Sequence, residues 1–216
     1  MDWLDIYIYS VLALILTAQF FYRFSSGRLA DLLSKIKFHV FLKWVWILSG
    51  VIIFGIFLYW SKLQYELWGS GGFTKYMLPP YQGISYFLSY VGVRFWGPWV
   101  LAFLASVIVS RAAKYLNRRF GERFFENEEI ELIALGVFLT GYPGFFIYLN
   151  LILVLGVIFS AVYQILVKGR LPLYYFWMPL AIFAIIIKDW ILPALGQQSL
   201  LAGFSLGDFF KLWFGI

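Results

Sequence analysis

Lysine and arginine gather in this chain into three short clusters, Arg23–Lys43, Arg111–Arg123 and Lys168–Arg170, with apolar stretches between them. Those stretches are long enough to span hydrocarbon, and positive residues are held on the cytoplasmic side of a bilayer. The clusters therefore predict where the chain returns to the cytoplasm. They point to an all-α fold, a polytopic membrane helix bundle of about six membrane segments. No internal repeat or linker divides the sequence, so residues 1–216 read as one integral membrane domain.

Composition supports this and narrows the chemistry. Hydrophobic residues make up 62% of the chain, more apolar surface than one soluble core of this size can hide. The net charge of +6 sits in short loops beside the spans, where it meets anionic lipid, so nucleic acid is not an expected partner. There is no cysteine and a single histidine, His39, which leaves no thiolate site and no histidine pair for haem or metal. No cofactor is expected. Asp2 and Asp5 stand where a basic signal-peptide n-region would be, so the first apolar run is expected to stay as a span. Trp3, Trp44, Trp60, Trp96, Trp177 and Trp190 fall near span ends and read as interfacial anchors.

The first span covers about Trp3–Tyr22. It leads to a basic stretch in which Leu29, Leu32, Leu33, Ile36 and Val40 recur at helical spacing, with Arg28, Asp31 and Lys35 elsewhere around the helix. An amphipathic helix on the inner leaflet fits, with Arg28, Lys35 and Lys37 facing lipid headgroups or a partner. The second span, roughly Leu42–Trp60, leads to an external loop over residues 61–83. Ile84–Val93 reads as an interfacial approach ending at Arg94, and the third span, about Phe95–Ala113, returns to Arg118 and Arg119, again for headgroup or partner contact.

From Leu132 to Val167 the chain carries no charge, and positive residues bracket it on both sides. It must enter and leave, yet 36 residues give only about 54 Å of helix, short of two full crossings. The turn signal Gly141–Gly144 (GYPG) divides it into a short arm, about Glu129–Thr140, and a full span, about Phe145–Val167, with the turn buried in protein. A sixth segment, Pro172–Ile187, leads out to Lys188 and Asp189, whose adjacency puts them on different helix faces. The tail Ser199–Ile216 reads as an external interfacial helix. Both termini are then non-cytoplasmic, in the plasma membrane of a prokaryote.

The candidate chemistry lies in the acidic run Glu126, Glu128, Glu129 and Glu131, which enters the short arm directly. One reading is structural: Asn127 caps the helix, and the glutamates favour its positive end and pair with Arg118, Arg119 or Arg123. The other makes a carboxylate at the bilayer edge a general acid or base. Gln19, Asn150 and Gln164 are expected to bond between helices.

Residues 126–185, from ENEEIELIALG through GYPG to LPLYYFWMP, resemble the C-terminal half of type IV prepilin peptidases. That family opens a short helix with a GxGDxKLL motif, and the resemblance puts Glu129 at the position of its catalytic aspartate and Glu131 at that of its lysine. It implies an intramembrane aspartyl-type site. The motif's glycines are Glu126 and Glu128 here, and the family's first aspartate has no counterpart, so the two carboxylates that share a proton are not both present. RFWGPWVLAFLASVIVSRAAKYLNRRFGE and LGVFLTGYPG are also similar to early spans of prolipoprotein diacylglyceryl transferases, without that family's histidine-glycine-glycine and arginine-glycine-asparagine signatures. The reading adopted is a non-catalytic subunit or assembly factor of a larger membrane complex, with the bilayer and other membrane subunits as partners. An enzyme using the Glu126–Glu131 run and a small transporter are the alternatives.

Overall fold

The computed structural model describes residues 3–24, 37–121, 125–168 and 173–194, and these contain helices and no strand. The main helices are α1 (Trp3–Phe24), α2 (Phe38–Ser70), α3 (Ile84–Val91), α4 (Gly97–Arg119), α5 (Asn127–Thr140), α6 (Gly144–Val167) and α7 (Trp177–Ile186). Four helical runs are long and apolar enough to cross a membrane: α1, α2, the continuous stretch Ile84–Arg119, and α6. Two of the six expected segments, α5 and α7, are shorter helices of 14 and 10 residues. The amphipathic helix expected around Arg28 and Lys35 and the tail Ser199–Ile216 lie outside the described residues.

The short helix is the centre of the bundle. α5 has apolar side chains on every face, the pattern of a helix enclosed by others, and α2, α4, α6 and α7 pack around it. Every residue from Leu132 to Thr140 is buried. Phe138 meets three rings, Trp99 and Phe103 at 5.9 Å and Trp46 at 6.3 Å. Thr140, fully buried, satisfies its hydroxyl within the helix by donating to the Gly136 and Val137 carbonyls. At Gly136 a side chain of α6 lies against the backbone of α5: a methyl group built there would overlap the ring and hydroxyl of buried Tyr148.

The helix ends where the sequence placed its turn. Gly141 takes φ 64° and ψ 176°, a conformation open to glycine and very few others. The Phe145 N–H donates to the Gly141 carbonyl at 2.8 Å, which starts α6 at once. Gly141 and Gly144 are buried and Tyr142 and Pro143 half-buried, so the irregular backbone is enclosed by protein as expected.

Elsewhere the helices outrun the sequence reading. α2 continues past Trp60 to Ser70, where Lys62 and Glu66 pair one turn apart (3.6 Å) on an exposed face, a helical and not a loop arrangement. Its end packs Trp68 against Leu78, Phe87 and Val91 in a second, smaller apolar cluster. Ile84–Val93 is likewise not a separate approach. A π turn at Gly92–Trp96 joins α3 to α4 without a break, and Arg94 lies over the Tyr90 ring at 5.8 Å.

The tryptophans divide into two groups. Trp3, Trp44 and Trp190 are exposed, as anchors would be. Trp177 is buried, Trp96 stacks on Phe54 at 5.7 Å, and Trp60 lies 5.7 Å from Phe57, so these three build the core instead. Of the polar span residues, Gln19 does bond across the bundle, donating to the Tyr174 carbonyl at 3.1 Å. Asn150 folds back onto the Phe146 carbonyl of its own helix, and Gln164 is exposed.

Candidate functional site

The acidic run starts α5, but its cap is Glu126 and not Asn127. Glu126 has extended backbone, accepts from the N–H of Glu129, and donates its own N–H to Glu129 Oε2 at 2.9 Å. This is a capping box built from two glutamates three residues apart, so Asn127 becomes the first helical residue. Carboxylates also suit the positive end of the helix. Glu129 is buried in this role. Glu131 forms a 2.8 Å ion pair with Lys114, one turn before the arginines that the sequence suggested. Residues two apart on a helix point about 200° apart, so Glu129 and Glu131 are not directed at one reacting atom.

Asn117 holds the loop leading into this cap. Its amide nitrogen donates to the Phe125 carbonyl at 2.7 Å, and its amide oxygen accepts the Phe125 N–H at 3.1 Å. The buried amide thus ties the end of α4 to the start of α5. Arg118 and Arg119, in the last turn of α4, are exposed, as is Lys37 just before α2. They are accessible to headgroups or a partner; Arg28 and Lys35 fall outside the described residues. Among the described residues no group of three histidine, cysteine or carboxylate side chains is arranged to hold a metal.

A second polar site lies at the other end of α5. A pocket of about 150 Å³ is lined by Asp5, Tyr9, Trp99, Leu139, Lys188 and Asp189, with further aliphatic side chains. Lys188 reaches from the chain after α7 to the Thr140 carbonyl, 3.4 Å away, where α5 ends. It also pairs with Asp189 at 3.4 Å. Adjacent residues on a regular helix diverge, but Ile187–Ile191 is a π turn, and its wider winding accompanies the contact. In the sequence Lys188 and Asp189 are adjacent charges after the last apolar stretch, and Asp5 is an acid within the first. The missed signal was that an acidic residue in the first apolar run and a charge pair after the last one can converge.

Compared with protein-family models, curated proteins and solved structures, the chain matches none.

Proposed function

We propose that this is a multi-pass membrane protein that serves as a non-catalytic subunit or assembly factor of a larger membrane complex. The observation behind this reading is α6. It is the most apolar of the four candidate spans and the least covered, with only 11% of its apolar window buried. Beyond Tyr148 it leaves Leu153, Val154, Val157, Ile158, Val162 and Ile165 exposed. This flank is lateral surface that lipid tails also cover, and the reading takes it as the face offered to a neighbouring subunit's helix. The acidic run supports the same reading, because Glu126 and Glu129 cap a helix and Glu131 pairs with Lys114.

In this reading the segments number about six, with α5 and α7 added to the four long runs. The basic clusters face the cytoplasm and both termini the opposite side of a prokaryotic plasma membrane. Cysteines introduced singly at Lys37 and Arg119, both exposed, should resist an impermeant thiol reagent outside intact cells and react once the membrane is opened. Labelling of either from outside would reverse the topology.

The role is tested with a photocrosslinking residue at Val157 in native membranes, alongside purification in mild detergent. One protein adduct of fixed size, matching a companion that copurifies, is expected. Lipid adducts alone and a solitary protein would overturn the subunit reading. Glu129→Gln should leave assembly intact and cost at most about 1 kcal/mol, since glutamine also completes a capping box.

A second reading, a small carrier, is favoured by one feature: α5 stops short at a polar pocket, and half-helix ends commonly line transport sites.

A further inference from the structure

We propose that the exposed side of α6 pairs with α6 of a second copy of this chain, the two helices parallel about a two-fold axis along the membrane normal. The inference rests on the membrane reading above and names the neighbour of that face. Asn150, Val154, Val157, Ala161 and Gln164 follow one another at alternating steps of four and three residues. That spacing aligns them along one stripe of the helix, and all five are exposed. Valines and a small alanine at such positions let two helices pack closely.

The two amides identify what covers the stripe. Asn150 lies about 27 Å of helix before Lys168, deep in the apolar run, yet on a face turned away from the bundle. Its amide nitrogen donates to the Phe146 carbonyl at 2.8 Å, which uses one of its two N–H groups. The other N–H and the amide oxygen have no partner among the described residues. Hydrocarbon offers neither a donor nor an acceptor, whereas a second Asn150 offers both. Two such amides facing each other across a two-fold axis exchange a reciprocal pair of hydrogen bonds. Copies of one chain share a topology, so their α6 helices run parallel and equal residue numbers meet. Gln164, two heptads further on, repeats the arrangement toward Lys168. A different protein would need a matching amide at a matching depth, which a second copy has by identity.

The test uses the full chain in native membranes with single cysteines, which its cysteine-free sequence permits. Oxidation should join Val154→Cys and Val157→Cys into species of twice the chain mass. Val162→Cys and Leu166→Cys, exposed on other sides of α6, should stay monomeric. Energy transfer between donor- and acceptor-labelled copies, followed as the bilayer is diluted with lipid, should give a dissociation constant that Asn150→Leu raises at least about fivefold. No disulfide at Val154 or Val157, equal disulfide yield on all sides of α6, or unchanged association of folded Asn150→Leu would each overturn the proposal. A photoadduct from Val157 to a different protein would overturn the second copy and leave the subunit reading standing, whereas lipid adducts alone would overturn both. Should Asn150→Leu not fold, the cysteine pattern decides the matter.

Discussion

Gly136→Ala should destabilise the bundle by about 3 kcal/mol, seen as a large drop in the midpoint of thermal unfolding in detergent or as loss of folded protein. The added methyl overlaps Tyr148, whose ring is fully buried between α5 and α6. Neither partner can yield easily, because α5 is enclosed on every side and α6 starts just beyond the turn. The Tyr148 hydroxyl is buried with no hydrogen-bond partner among the described residues, so Tyr148→Phe removes a desolvated group and should be neutral or stabilising by up to about 1 kcal/mol. Combining Gly136→Ala with Tyr148→Leu should recover much of the loss. The two changes would then be strongly non-additive, as expected of residues in direct contact. A mild, additive effect of Gly136→Ala would show that the two helices do not meet here.

Gly141→Ala should cost about 2–3 kcal/mol through two separable effects. The backbone at φ 64° and ψ 176° disfavours any side chain. The new Cβ would also come within 3.3 Å of the Trp99 ring, which is held between Phe57 and Phe138. Replacing Trp99 by Phe in the same chain should recover the contact part and leave the backbone part. Recovery of the full stability would mean that the turn backbone is not strained by a side chain, and the turn would need a different description.

The division at Gly141–Gly144 was legible because three independent constraints met there: charge-free length, turn residues and bracketing positive clusters. The helix limits between Trp60 and Phe95 were not, since Lys62, Glu66 and Arg94 lower hydropathy without stopping a helix. The i,i+4 spacing of Lys62 and Glu66 was the available sign that α2 continues. At the acidic run the residue types were read correctly, but Asn127 is the stronger cap by propensity. The capping box prevailed because Glu126, three residues before Glu129, lets two backbone N–H groups be satisfied together. The pocket at Asp5, Lys188 and Asp189 was invisible for a topological reason. It joins the first helix to the chain after α7, across a separation of more than 180 residues for which no local pattern exists.

The length of α2 has a mechanical consequence. Its 33 residues make a rod of about 50 Å, against a hydrocarbon layer of about 30 Å. If its apolar first part lies in the bilayer, as proposed above, the rest projects as a stiff rod, and the cluster of Trp68, Leu78, Phe87 and Val91 joins its tip to the helical run that starts at α3. A tilt of about 10° at the buried end would sweep that tip through roughly 9 Å by the geometry of so long a helix. Small rotations inside the membrane would thus be delivered outside it as displacements the size of a side chain or larger.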